Sequence, residues 1–317
     1  FHIEQAKSFR DALSKAFGAA GRPLAKSPIH QTLNALRRFF VWLADQSGYK
    51  RAVSYSDADY FRPNRKDALA LSTQPDKPFP SVEQVRTVIF AMPANTEVEQ
   101  RDRAIVAFSL LTGARDDAIA SLQLRHVDVE ARRVVQDGRD VRTKASKTIE
   151  TTFFPVGDDV VHIVGEWVNF LRSEKLFAET DPLFPRTRVV VGANRRFAAQ
   201  GVERSFWSRA GPIRKIFRRA FEAAGLPYFN PHSIRKTLVQ LGERRCRTPE
   251  EFKAWSQNLG HENVSTTLNS YGKVSATRQS ELILGLASPS RCAGASDGDT
   301  PPDNETVRRV LQHLQAS

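Results

Sequence analysis

The chain has 317 residues, 40% of them hydrophobic, enough for two ordinary domains that each bury a core. No apolar run approaches the roughly 18–20 residues that span a bilayer, and Phe1 to Arg10 lack the layout of a secretory signal, so a cytoplasmic protein with no membrane partner is expected. The 47 Lys and Arg against 35 Asp and Glu give a net charge of +12, and 34 of those cations are Arg, whose planar fork suits phosphate oxygens. Cys246 and Cys292 are the two cysteines, too few for a disulfide framework or a cysteine zinc site. A first residue that is Phe rather than Met suggests a fragment or processed chain.

A first helix is expected around Glu4 to Phe17, and a clearer one over Gln31 to Gln46, where Leu33, Leu36, Phe40 and Leu43 recur at helical spacing. Arg37 and Arg38 face away from that stripe and are candidate DNA contacts. The first helix and Ser27-Pro28 suggest a small helical unit that ends near Phe61-Arg62-Pro63. The following stretch to Pro80, rich in Pro, Lys, Asp and Ser, reads as a linker, so domains are placed at 1–72 and 73–287, with a tail at 288–317. Ser81 is an N-cap candidate for a helix presenting Val85, Val88 and Ile89.

Arg101 to Leu111 reads as a buried helix stopped at Thr112-Gly113, with Arg115 opening the next one. From Arg133 to Phe154, short β-prone runs broken by Asp137-Gly138 and by Lys144-Ala145-Ser146-Lys147 indicate a small antiparallel sheet with hairpins. Helices resume at Val160 to Leu171 and at Arg204 to Ala224. Asn230-Pro231 then caps and opens a helix that sets His232 and Arg235 three residues apart on one face, near an N-terminus that favours anions. After Tyr271 a helix is expected over 276–287, followed by a Ser, Pro, Gly and Asp-rich tail with a short stripe of Val307, Val310, Leu311 and Leu314.

Each motif alone has a plain structural reading: a helix junction with a surface Arg, a packing histidine, a half-buried tyrosine. Their order changes that. Thr112-Gly113-Ala114-Arg115, a hairpin lysine at Lys144, His232-Ser233-Ile234-Arg235, Leu259-Gly260-His261 and Thr266-Thr267 followed by Tyr271 resemble the tyrosine recombinase family of phage integrases. The resemblance covers residues 81 to 275 with specific motifs and residues 1 to 65 more loosely, as that family's helical core-binding (SAM-like) domain. It implies Arg115, Lys144, His232, Arg235, His261 and Tyr271 in the six catalytic positions, with Lys147 on the same turn as the alternative to Lys144 and as a candidate DNA contact. Two departures stand out. Ala118 replaces the acid usual three places after the first arginine, leaving Asp116 or Asp117 to substitute, and His261 and Tyr271 are ten apart, one more than in the commonest members.

The chemistry asks for these residue types independently. Negative charge grows on the non-bridging oxygens as a phosphodiester is attacked, which suits Arg115 and Arg235. A phenol with a pKa near 10 needs a base within reach or strong local positive charge; His232 is the candidate base, while His261 donates to the phosphate. The departing 5′-oxygen needs a proton, which Lys144 on a hairpin can supply. No Asp/Glu cluster with metal-ligand spacing accompanies them, and no cofactor or metal is expected.

The expected fold is mainly α with a small antiparallel β-sheet (α+β), a two-domain DNA clamp with an integrase-like catalytic domain. The function implied is site-specific recombination through a 3′-phosphotyrosine intermediate. The implied partners are double-stranded DNA, a homotetramer on paired sites exchanging C-terminal elements, and an accessory DNA-bending protein, in a nucleoid-associated setting. A type IB topoisomerase-like relaxing enzyme and a catalytically inactive DNA-binding relative are the alternatives; the separate helical unit and the intact set of six favour the recombinase.

Overall fold

The computed structural model describes residues 2–18, 21–63, 78–191 and 195–261. Tyr271, the helix expected over 276–287, the tail 288–317 and most of the Pro-rich linker lie outside the described residues. The chain divides into two compact units, Phe1–Pro78 and Phe79–Ser317.

The first unit holds helices α1 (Ile3–Ser14) and α2 (Lys26–Asp45) and a 3₁₀ turn, Tyr55–Phe61. Leu33, Ala6 and Phe61 form its small core, with Leu13, Ile29, Leu36, Phe40 and Tyr60 packed against it. Helix α2 starts at Lys26, so Ser27-Pro28 lies in its first turn; proline is tolerated there because the N–H it lacks has no intrahelical acceptor. Arg38 is exposed, while Arg37 is half-buried with Nη2 3.5 Å from Asp59 Oδ1.

The second unit is built on α4 (Glu97–Thr112), which from Arg101 onward is buried on nearly every side and is therefore central. Around it lie α3 (Val82–Ala91), α6 (Asp158–Asn169), α7 (Gly211–Ala223), α8 (Pro231–Arg245) and α9 (Pro249–Asn258). The short α5 (Asp116–Ile119) follows α4. The shared core includes Val88, Ile105, Phe108, Leu111, Val164, Trp167, Phe217, Phe221, Ile234 and Leu238. Local signals act as the residues demand: Ser81 Oγ accepts from Gln84 N–H at 3.1 Å while the Gln84 side chain takes Ser81 N–H at 2.9 Å, a reciprocal cap on α3.

A three-stranded antiparallel sheet, ordered β1 (Val127–Asp128), β2 (Arg133–Gln136), β3 (Ile149–Thr152), lies where the β-prone runs predict it. A second sheet, β4 (Thr187–Val191) paired antiparallel with β5 (Phe197–Val202), corrects the expectation of a single sheet. The β-branched run Thr187 to Val191 carries that signal. The helix expected from Arg204 begins only at Gly211, with Pro212 in its first turn. Among the described residues no helix is long and apolar enough to cross a membrane.

Candidate active site

The site is organised by one buried side chain. Helix α8 begins with Asn230 as cap, its Oδ1 accepting from Ser233 N–H at 3.0 Å, and with Pro231 in the first turn. One turn in, Arg235 is 6% exposed, and its guanidinium reaches three groups on two other stretches of chain. Nη1 donates to the Gly113 carbonyl at 2.7 Å, and Nη2 donates to the Leu259 carbonyl at 2.6 Å and to His261 Nε2 at 2.9 Å. Burial, then neighbouring Arg115, lowers the Arg235 pKa to about 10, which leaves it charged at neutral pH.

Gly113 makes this convergence possible. It ends α4 in the left-handed conformation (φ 61°), and a Cβ there would stand 2.9 Å from Leu259 Cδ2 and 3.0 Å from Leu238 Cδ1. The turn is tightened by Thr112 Oγ1, which donates to the Phe108 carbonyl at 2.7 Å and accepts from Ala114 N–H at 3.1 Å. Arg115 is thereby set as the half-buried, extended residue that caps α5.

On the other side, Leu259-Gly260-His261 is laid against β3. Asn258 Oδ1 accepts from Thr152 N–H at 2.7 Å, its Nδ2 donates to the Thr152 carbonyl at 2.8 Å, and its own carbonyl accepts from Thr151 Oγ1 at 2.9 Å. Gly260 (φ 69°) sits so close to Ile149 that a Cβ would lie 2.9 Å from it. Arginine can only donate, so His261 Nε2 accepts, and the proton of the neutral ring is on Nδ1. Burial and then Arg235, Arg115 and His232 hold the His261 pKa down to about 4.

His232 is exposed, yet the protein around it, then Arg235 and Arg115, lowers its pKa, with Asp116 acting the other way and Lys236 lowering it further. Four of the predicted site residues, Arg115, His232, Arg235 and His261, therefore share one electrostatic cluster. Ala118 is buried, and the two acids beside it divide: Asp116 Oδ2 accepts from Arg214 Nε on α7 at 2.6 Å, while Asp117 lies 4.0 Å from Arg142 Nε.

Lys144 is held differently. It opens a 3₁₀ turn, Lys144–Ser146, in the loop between β2 and β3, is exposed, and has no hydrogen bond or ion pair among the described residues. Ala145 (φ 60°) and Ser146 (φ 52°) both adopt left-handed backbone there. Lys147 is half-buried, and its carbonyl accepts from Thr143 Oγ1 at 2.7 Å. Tyr271 lies outside the described residues.

Sequence reasoning missed a basic cleft of about 500 Å³ at the start of α7, lined by Arg186, Arg209, Lys215 and Arg219 over Trp207. Arg186 pairs with Glu203 and Arg219 with Asp102, whereas Arg209 and Lys215 have no carboxylate partner among the described residues. It missed Asn258 too, although that residue directly precedes the Leu-Gly-His motif.

The family model described as "Phage integrase family" matches residues 81–278. Tyrosine recombinase XerC of Escherichia coli O6:K15:H31 (strain 536 / UPEC) is 24% identical over 259 residues, 80% of this chain and 70% of the relative. Tyrosine recombinase XerD of Vibrio vulnificus (strain YJ016) is 22% identical over 255 residues, 74% of each chain. The crystal structure of XerA recombinase overlaps 90% of this chain and 89% of its own at 18% identity, with a TM-score of 0.47. The chain belongs to the phage integrase family of tyrosine recombinases and is a site-specific recombinase, a DNA strand transferase.

Proposed function

We propose that Arg115, Lys144, His232, Arg235, His261 and Tyr271 carry the strand-transfer reaction. The Tyr271 oxygen attacks phosphorus as His232 takes its proton; the bond from phosphorus to the 5′-oxygen breaks, its electron pair goes to that oxygen, and Lys144 Nζ protonates it. The products are a 3′-phosphotyrosine and a free 5′-hydroxyl, and attack by a partner 5′-hydroxyl reverses the step on a new strand. Arg115 and Arg235 hold the charge that grows on the phosphate, and His261 donates to it through Nδ1.

The observation that supports this best is the Arg235 node, which draws Gly113, two residues before Arg115, together with Leu259 and His261. The depressed His232 pKa favours a neutral ring, the form a base requires. Exposure, and the lack of a partner among the described residues, favour Lys144 over half-buried Lys147 as the mobile acid. The unpaired Arg209 and Lys215 suit contact with DNA phosphates, as do Arg38 and, less directly, Arg37 and Lys147.

Within the same reading, residues 1–72 form the core-binding DNA domain, residues 73–287 the catalytic domain and residues 288–317 a tail with a short amphipathic helix. The protein acts in the cytoplasm as a homotetramer on two duplex sites belonging to a mobile element, with an accessory bending protein where the DNA requires it.

The test is a nicked suicide duplex drawn from the flanks of the encoding locus, incubated without metal with wild type and with Tyr271→Phe, then run on a denaturing gel. A protein–DNA adduct in wild type alone supports the tyrosine mechanism. Bound DNA with no adduct from either protein, even with Mg²⁺ in place of EDTA, overturns it.

A further inference from the structure

The loop joining β2 to β3 has two unlike halves. In the first, Val141 is buried, its N–H donates to the Asp137 carbonyl at 2.8 Å, Arg142 N–H donates to Ser121 Oγ at 2.9 Å, and the Asp140 carboxylate accepts from Arg125 Nη2 at 2.7 Å. In the second, Lys144, Ala145 and Ser146 are all exposed. The rooted half is therefore one of two anchors on where Lys144 can reach, the other being the return to β3, where Thr143 Oγ1 donates to the Lys147 carbonyl at 2.7 Å and Gly138 N–H to Thr148 Oγ1 at 3.2 Å.

Beneath that half lies His126, the last residue of a 3₁₀ turn (Leu124–His126) just before β1. It is 7% exposed, and its Nδ1 accepts from Gln123 N–H at 3.0 Å. The proton of the neutral ring is therefore on Nε2. Burial, then Arg125, lowers the ring's pKa against the opposing pull of Asp140 and Asp137, which keeps it neutral near pH 7. Nε2 is buried with no hydrogen-bond partner among the described residues and faces Asp140 Oδ2 at 3.7 Å, beyond ordinary hydrogen-bond length. With its lone pair occupied by hydrogen, Nε2 is no metal ligand; the group it can serve is an oxygen acceptor, and the nearby candidate is Asp140.

We propose that His126 is a positioning residue for strand transfer: together with Arg125 it governs where Asp140 sits, and through Asp140 where the loop presents Lys144. Clamping the rooted half while leaving the Lys144 turn exposed confines the lysine's search without immobilising it. This rests on the reading of Lys144 as the acid that protonates the 5′-oxygen.

The experiment compares single-turnover adduct formation on two versions of the cleavable duplex, one with oxygen and one with sulfur at the 5′-bridging position. A thiolate departs without a proton, because a thiol's pKa lies near 8.5. The proteins are wild type, Lys144→Ala, His126→Phe, His126→Gln and Asp140→Asn, each checked for DNA affinity and thermal midpoint. Lys144→Ala is expected to be slow on the oxygen duplex and restored on sulfur. His126→Phe and Asp140→Asn lose about ten- to a hundredfold on oxygen, as a donor misplaced by an ångström would, and recover on sulfur. His126→Gln, whose amide can accept from Gln123 and donate to Asp140, recovers part of the oxygen rate. If both His126→Phe and Asp140→Asn are slow on sulfur too, or match wild type on oxygen, the positioning role is overturned while the assignment of Lys144 stands. If sulfur fails to restore Lys144→Ala, the acid assignment falls and the role of His126 falls with it. Should His126→Phe fail to fold, Asp140→Asn, whose side chain is 32% exposed, decides the same question.

Discussion

Arg235 and Lys144 are assigned to the same reaction, yet the protein holds them in opposite ways. Arg235 is buried and wired to two backbone carbonyls and a histidine, so it cannot shift without disturbing the end of α4, the end of α9 and the Leu-Gly-His loop together. Lys144 stands on an exposed turn beside two residues in left-handed backbone, with no polar partner of its own among the described residues. The division matches the two tasks. Charge that grows on a phosphate is best met by donors already in place, because donors that must reorganise lose much of what they contribute. A proton donor has to approach an oxygen that becomes basic only as the bond breaks, and a mobile carrier suits that step.

The contrast can be broken from either side. Lys144→Ala has the largest expected effect on chemistry, a loss of about 10²- to 10⁴-fold in adduct formation, the usual span for a missing general acid. The thermal midpoint and DNA affinity should stay at wild-type values; a large drop in midpoint would mean that the turn is structural. Arg235→Lys should cost about 10²- to 10³-fold in cleavage. Unlike the loop variant it should also destabilise the unit, by about 1–3 kcal/mol for each buried carbonyl left without a donor. Denaturant melts of the full chain measure this, and unchanged stability would show that the Gly113 and Leu259 carbonyls find other donors.

The smallest effect is in pH. His261 is held to about 4 in the folded state, whereas an unfolded histidine titrates near 6.5. Between those values the unfolded chain binds the proton and the folded one does not, so stability should fall as pH drops from about 6.5 toward 4. His232, also lowered, should move the acid limb of cleavage below about 6.5. Melting curves and single-turnover rates across that window test both, and a limb at or above the ordinary histidine value would remove His232 as the base.

Much of this was legible before any coordinates. Caps announce themselves locally: Ser81 with Gln84, and Asn230 before Pro231, are short-range patterns whose physics is complete within four residues. The buried character of α4 was readable from its run of apolar residues, and the four clustered site residues from motif order. What escaped depends on distance in sequence. Nothing near Arg235 says that its acceptors are Gly113 and Leu259, since those contacts exist only once three stretches meet. The strand pair β4 and β5 was passed over despite Thr187 to Val191, and Lys144 was preferred to Lys147 only because Lys147 is the second of the pair; their difference in exposure is not written in the sequence.

Asn258 has a consequence beyond placing His261. Strand β3 is an outer strand of its sheet, and such a strand normally presents N–H and C=O groups on which another chain can assemble. Here one amide side chain occupies both backbone groups of Thr152, and the Asn258 carbonyl takes the Thr151 hydroxyl. At Thr152 the open edge of β3 is closed by a single asparagine.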